Sequence, residues 1–328
     1  MSTAGIPPEP RILAVRLGAM GDIVHTLPAV AVLKRAHPGA NLTWVVEPQW
    51  AALLEGNPFV DRVLLLRRGS AAGLMESWRD LRAARFDFAV DFQGLLKSAV
   101  VAAAARPARI FGFDAAQLRE RAAALFYTDR IATTCAHVVD RNCELVGHAL
   151  APGRALACPP SFPLPPGRPE GALPEGGFVL ASPLAGWPSK QWPAGHYQAL
   201  ARRLRRERNL PLVLNGREAA HLPAMEGALP HVSGLPGLIF ATRRASAVVG
   251  VDSGPMHIAA ALGKPGVAIF GPTDPARNGP YGTSMRVLRR RDAVTTYRRG
   301  TQIDESMRHV SPDEVFEELR MALDCAVP

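Results

Sequence analysis

Residues 248–275 read VVGVDSGPMHIAAALGKPGVAIFGPTDP. An apolar run ends in Asp252-Ser253-Gly254, and Pro255 opens a helix. First-turn helix amides lack intrahelical partners, and the helix dipole is positive at that end. Gly254 lets a ligand approach the backbone closely, and His257 lies one turn in. Together these residues predict a diphosphate site at a helix N-terminus. The next apolar run ends in Gly271-Pro272-Thr273-Asp274-Pro275, a rigid turn expected beside the same site. A lone Asp-Ser-Gly-Pro would read as a helix cap with His257 on the surface. The second glycine-proline turn favours ligand binding.

Two further stretches carry chemistry. In SPLAGWPSKQWPAGHY, residues 182–197, an apolar run leads into a loop holding Ser189 and Lys190 before Trp192 and Pro193 start a helix. A lysine at a strand end suits a phosphate, or a leaving group that gains negative charge. Alone it would read as a solvated surface lysine, but this chain has only four: Lys34, Lys97, Lys190 and Lys264. In RLGAMGDIVHTLPAV, residues 16–30, Gly18 and Gly21 do not form the Gly-x-Gly-x-x-Gly dinucleotide fingerprint. Asp22 falls where a helix begins and is expected as its N-cap, worth about 1 kcal/mol. Helix-start amides favour the ionised carboxylate. Such a group can take a proton from a hydroxyl nucleophile. This loop is therefore expected to present a base rather than to bind phosphate. VDFQGLLKSA puts Asp91, Gln93 and Lys97 at another strand end, and QLRERAAALFY puts Arg119 and Arg121 after a further strand. Guanidinium groups there could hold an acidic acceptor bidentately, although each alone reads as solvated surface.

The elements that must position these residues alternate along the chain. Strands are expected at 12–16, 42–46, 63–66, 88–92 and 109–112, and helices at 23–36, 51–55, 73–84, 95–104, 119–126 and 137–150. Residues 150–177 then carry eight prolines and five glycines and read as a linker. Strands follow at 178–182, 212–215, 247–251 and 267–270, with helices at 194–206, 219–228, 237–244 and 256–262. A last helix starts at Ser311, with Pro312 at its first position and Glu314 completing a capping box. Short apolar strands between helices argue for two α/β halves, each a doubly wound parallel sheet. Ligands are expected at the carboxyl ends of the strands, in a central cleft faced by both halves. The division is an N-terminal acceptor domain at 1–160, a linker at 161–177, a donor domain at 178–310, and a C-terminal helix at 311–328 that could pack back on the first half.

Composition narrows the partners. The chain has 328 residues, 48% of them hydrophobic, which suits two cores. Its net charge of +9 favours acidic partners. Nucleic acid is disfavoured, because the arginines are spread and no basic motif is interleaved with aromatics. Solvated surface is an equal explanation of the charge. No run of eighteen apolar residues predicts a spanning helix, and the polar, proline-rich start predicts no leader, so a cytoplasmic protein is expected. Cys135, Cys143, Cys158 and Cys325 form no Cys-x-x-Cys pair and are expected as free thiols. No Asp-x-Asp pair occurs, and neither metal nor cofactor is expected.

GAMGDIVHTLPAV, DFQGLLKSA, LRERAAALFY and VDSGPMHIAAALGKPGVAIFGPTDP together resemble the bacterial lipopolysaccharide heptosyltransferases of glycosyltransferase family 9. The likeness runs from about Ile12 to Pro275, and the 93–98 stretch resembles the type I enzymes more than type II. It implies a two-domain GT-B fold and metal-independent, inverting transfer of heptose from ADP-heptose, a substrate, to Kdo on lipid A. Asp22 then matches the general base and Lys190 the phosphate-contacting lysine. Asp252, Ser253, Gly254 and His257 match the ADP loop, with Ser189 beside it and Glu218 as the ribose-contacting candidate. Gly21, His25, Gln93, Lys97 and Arg119 fall to the acceptor side, and Arg121 stands where proline is usual. The implied setting is the inner face of the inner membrane, with an anionic lipid acceptor. Heptosyltransferase II, another family-9 transferase, and a non-catalytic nucleotide-sugar-binding protein stay open as alternatives.

Overall fold

The structure is a computed structural model that describes residues 7–150, 160–219, 222, 224–296 and 298–325. The chain divides into two compact units, Met1–Pro165 and Pro166–Pro328, so the division falls inside the proline-rich seam.

The first unit runs β1 (Arg11–Val15), α1 (Met20–Ala36), β2 (Asn41–Val46), β3 (Arg62–Leu65), α2 (Ala71–Ala83), β4 (Phe88–Asp91), α3 (Leu96–Ala104), β5 (Arg109–Phe113), β6 (Asp129–Ile131) and α4 (Val138–Leu150). Short 3-10 turns lie at Pro48–Leu54, Ala115–Gln117 and Arg121–Phe126, the first and last where α-helices were expected. Its strands lie in the order β3-β2-β1-β4-β5-β6, all parallel. The central strands are apolar on both faces because helices cover both. In β1 only Arg11 is exposed, and β4 is buried throughout. Helix α1 packs along α4 and is buried continuously from Ile23 to Leu33.

The second unit repeats the plan: β7 (Val179–Ala181), α5 (Ala194–Arg208), β8 (Leu212–Gly216), β9 (Ala228–Val232), α6 (Leu235–Arg244), β10 (Ala247–Val251), α7 (Gly254–Ala261), β11 (Gly266–Phe270), α8 (Pro275–Asn278), β12 (Met285–Arg289), α9 (Glu305–Arg308) and α10 (Pro312–Cys325). The order β12-β11-β10-β7-β8-β9 is again parallel, and it is the same winding as the first sheet read from its other edge. Both sheets therefore reverse direction once, between β1 and β4 and between β7 and β10. Such switch points are where open α/β sheets bind ligands.

Several expectations are corrected. Strands β6, β9 and β12 are edge strands; Asp129, Arg130, Arg286 and Arg289 keep β6 and β12 from standing out as apolar runs, and β9 is broken by Pro230, which an edge tolerates. The helix expected at 219–228 does not form among its described residues. Pro223 lies within it, and Gly227 takes a left-handed φ of 84°. The C-terminal helix belongs to the second unit. Val315, Phe316 and Leu319 of α10 enter the core with Leu200 and Leu204 of α5 and Ile269 of β11. The capping box forms as expected, with the Glu314 amide donating to Ser311 Oγ at 3.2 Å and the Ser311 amide to Glu314 Oε2 at 2.8 Å. Cys143 is disulfide-bonded, against the expectation of free thiols, whereas Cys135 and Cys325 are free. Cys158 lies outside the described residues.

Candidate functional site

In the first unit, three loops gather at the carboxyl ends of β1, β2 and β4. The Leu17 amide donates to Gln93 Oε1 at 2.9 Å, and the Glu47 amide to the Leu17 carbonyl at 3.0 Å. Arg16, buried, donates to the Phe92 carbonyl at 2.5 Å. The Gly18 position must stay bare, because a Cβ there would lie 2.8 Å from Trp50 Nε1. This clamp aims the next turn.

Asp22 sits on that turn, but not as the N-cap. Helix α1 begins at Met20, so Ala19 is the N-cap and Asp22 is the third helical residue. Its carboxylate reaches back to accept from the Ala19 amide at 3.2 Å, and Arg16 approaches the same oxygen, Oδ2, at 2.8 Å. The side chain is 46% exposed, and Oδ1 has no hydrogen bond among the described residues. One oxygen is thus anchored and the other is open to take a proton. Gly21 lies in the same first helical turn.

The neighbouring loops are organised by Asp91. It is wholly buried and accepts from the Gln93 and Gly94 amides, Ser98 Oγ and Tyr127 Oη, the last two at 2.8 Å. Burial raises its pKa despite these bonds, and burial with the adjacent Asp91 raises that of Tyr127. Asp91 is therefore a structural anchor for the loop rather than a ligand group. Gln93 spends its amide oxygen on that loop. Lys97 stays 40% exposed, with Nζ 3.5 Å from Glu47, which also binds Arg68. Arg119 and Arg121 are exposed and have no ion pair among the described residues. His25 is buried on α1 and meets His137 edge to face at 5.4 Å.

In the second unit, Asp252 is the hub. Its carboxylate is 5% exposed and takes Lys190 Nζ at 2.5 Å, Thr273 Oγ1 at 2.7 Å and Asn278 Nδ2 at 3.0 Å. His257 Nε2 stands 3.8 Å from its other side. Burial pushes the Asp252 pKa up, but His257 and Lys190 outweigh it and hold the carboxyl well below its usual range. Neither Asp252 nor Ser253 caps α7. Ser253 holds the N-cap position with no capping bond, and its buried Oγ makes no hydrogen bond. The capping explanation of this motif therefore fails; the Met256 amide is taken by the Ser253 carbonyl at 3.1 Å and Pro255 has none, which leaves the Gly254 amide at the helix start to bind an anion. Lys190 also lies 4.2 Å from the centre of the Trp187 ring. Ser189 is buried, its carbonyl accepting from the Asp304 amide at 3.2 Å. Glu218 is exposed, just beyond β8, the neighbour of β7.

The sequence reading missed Arg16, Glu47, Trp50, Asn278 and Trp187. For Arg16, an arginine directly after a buried strand was the available signal. For Glu47, Trp50 and Asn278 the contacts are long-range, and no local pattern reveals them, whereas Trp187 lies only three residues before Lys190. Among the described residues, no group of three or more His, Cys, Asp or Glu could hold a metal ion, and no helix is long and apolar enough to cross a membrane.

The sequence profile of glycosyltransferase family 9 (heptosyltransferase) matches residues 74–305. Lipopolysaccharide heptosyltransferase 1 of Pseudomonas aeruginosa is 32% identical over 304 residues, covering 84% of this chain and 82% of that protein. The Escherichia coli K12 protein of the same description is 32% identical over 306 residues, covering 85% and 93%. The solved structure of E. coli heptosyltransferase WaaC with ADP-2-deoxy-2-fluoro heptose superimposes with a TM-score of 0.75 at 25% identity, covering 95% of this chain and 99% of that one. The twice-repeated winding is thus the GT-B fold of these enzymes. Likeness sustained over so much of the chain, in sequence as well as in fold, places the protein among the glycosyltransferases: it belongs to family 9, the heptosyltransferases.

Proposed function

We propose that this chain transfers L-glycero-D-manno-heptose from ADP-heptose to a Kdo residue of Kdo2-lipid A, with inversion and without a metal. The observation that carries the reading is the furnishing of the second switch point. There Lys190, His257 and the start of α7 are drawn together around the buried Asp252. Relatives described as lipopolysaccharide heptosyltransferase 1, matched over most of their length, support heptose as the sugar and the lipopolysaccharide core as the acceptor.

The diphosphate of the donor binds at the α7 start, and Glu218 receives the ribose. The acceptor hydroxyl gives its proton to Asp22 Oδ1 as its oxygen attacks the anomeric carbon. The new C–O bond forms on the face opposite the bond to phosphate. That bond breaks, and ADP leaves with the electron pair. Lys190 and the helix dipole stabilise the departing charge. Lys97 and Arg119 recognise the carboxylate and phosphates of the acceptor.

A lipid-borne acceptor implies work at the inner face of the inner membrane. Helix α2 suits such a surface: Leu74, Met75 and Trp78 are exposed, with Arg82 4.9 Å from the Trp78 ring. Five arginines against two carboxylates between Arg67 and Arg85 favour an anionic bilayer.

The test is ADP release from ADP-heptose with and without a deacylated Kdo-containing acceptor. Acceptor-dependent release that vanishes in Asp22→Ala supports the reading. ADP binding without release under any acceptor overturns the substrate assignment.

A further inference from the structure

We infer that Arg299 is a second cation for the donor's diphosphate and helps set the preference for diphosphate-linked sugars. This rests on the donor site proposed above.

The argument begins with charge. Lys190 is held at the end of β10, just before the α7 start, by Asp252, which neutralises it at 2.5 Å. The pair as a whole brings no net positive charge to a ligand that carries two or more negative ones. A further cation is needed unless the helix dipole alone is to hold the anion, and the dipole is worth only about half a charge.

Arg299 is the candidate. Its guanidinium lies 5.5 Å from the centre of the Trp187 ring, the same ring that Lys190 approaches at 4.2 Å. Cations near an indole are held by its quadrupole, so Trp187 draws both to its ring. The loop that carries Arg299 is fastened to this site at three points. The Thr296 amide donates to the Pro272 carbonyl at 2.7 Å, and the Asp304 amide to the Ser189 carbonyl at 3.2 Å. Between them Gly300 presses on Ser189 so closely that a Cβ there would lie 3.0 Å from the Ser189 Cβ. The backbone thus delivers residue 299 beside the Ser189-Lys190 turn.

Unlike Lys190, Arg299 is exposed and has no carboxylate partner among the described residues. Unlike Arg289, whose guanidinium is taken up by Gly271, Ala293 and Thr295, it keeps its donors. A free planar fork matches two phosphate oxygens at once. Lys190 and Arg299 then divide the work: the lysine is positioned by Asp252, and the arginine supplies the uncompensated charge.

The test is calorimetric titration of ADP and AMP into the full chain and into Arg299→Ala, Arg299→Lys and Trp187→Ala, with the KM for ADP-heptose measured alongside. Arg299→Ala should weaken ADP roughly tenfold and raise that KM in parallel, as expected for loss of a charge-assisted contact. AMP should lose less, so the ADP-over-AMP preference falls. Arg299→Lys should recover part of the loss, and Trp187→Ala should lower ADP affinity by loosening both cations. Because Arg299 is exposed, its thermal midpoint should not move. ADP affinity within twofold of the parent in Arg299→Ala, with the ADP-over-AMP ratio intact, overturns the inference and leaves the donor site standing. A parent chain that does not bind ADP overturns both.

Discussion

Lys190 and Asp252 are 62 positions apart in the chain, yet their charged ends lie 2.5 Å apart at the switch point of the second sheet. The lysine comes from the turn after β7 and the aspartate from the end of β10, and these two strands are hydrogen-bonded neighbours. Both groups are largely withdrawn from water, at 15% and 5% exposure. Removing one partner of such a pair strands the other.

Asp252→Asn should therefore destabilise the second unit by about 3–5 kcal/mol. The carboxyl is held below its ordinary range by His257 and Lys190 against the opposing pull of burial. Its contribution is thus complete above the unfolded value near pH 4 and is lost as pH falls toward the lower folded value. Urea midpoints measured from pH 7 to pH 3 should fall in the parent chain. In Asp252→Asn the same curve should start lower and be flatter.

Asp22 predicts a separation of chemistry from binding. Asp22→Asn keeps an acceptor for the Ala19 amide but removes the base, and it should lower kcat about 10²- to 10⁴-fold. ADP affinity should stay within twofold of the parent. An equal loss of ADP affinity would assign the residue to donor binding instead. Single-turnover rates and titration of ADP distinguish the two.

Asp91 gives a signature of opposite sign. Burial raises its pKa in the folded chain, so ionisation costs stability as pH rises from about 4 toward the folded value. Asp91→Asn removes this term. The stability of the parent relative to Asp91→Asn should fall as pH rises through that window. Tyr127→Phe deletes a 2.8 Å bond to the same carboxylate and should cost about 1–3 kcal/mol at neutral pH. Denaturant melts of both variants across pH check this.

The exposed stripe on α2 predicts a difference between acceptors. A Met75→Ser, Trp78→Ser double variant should bind vesicles of phosphatidylglycerol and phosphatidylethanolamine at least fivefold more weakly in sedimentation. Its turnover of a soluble, deacylated acceptor should be unchanged, and its turnover of vesicle-borne acceptor reduced. Equal sedimentation of variant and parent would remove α2 from the membrane-facing surface.

Much of this arrangement is legible without coordinates, for local reasons. Strands β1, β4, β10 and β11 stand out as short apolar runs because both their faces are covered. The Asp-Ser-Gly-Pro and Gly-Pro-Thr-Asp-Pro turns mark strand ends because glycine and proline punctuate the backbone there. The edge strands β6 and β12 were missed because exposure lets charged residues in, and β9 because Pro230 breaks its apolar run. Asp22 was placed correctly at a helix start, but one turn of the helix too early, since Ala19 gives no side-chain sign of being the cap.

By itself the sequence determined the doubly wound halves, the seam between them, and the strand ends where Asp22, Lys190 and Asp252 must lie. These follow from hydrophobic period, turn residues and spacing, which are local properties of the chain. Only the tertiary structure decided what each of these residues touches. Parallel strands place residues from distant segments side by side, and the register of β7 against β10 is set by packing rather than by any one residue. That register makes Asp252 a hub for Lys190 instead of a helix cap and buries Asp91 beneath Tyr127. Helix packing buries His25 beside His137, and the loop after β12 brings Arg299 to Trp187.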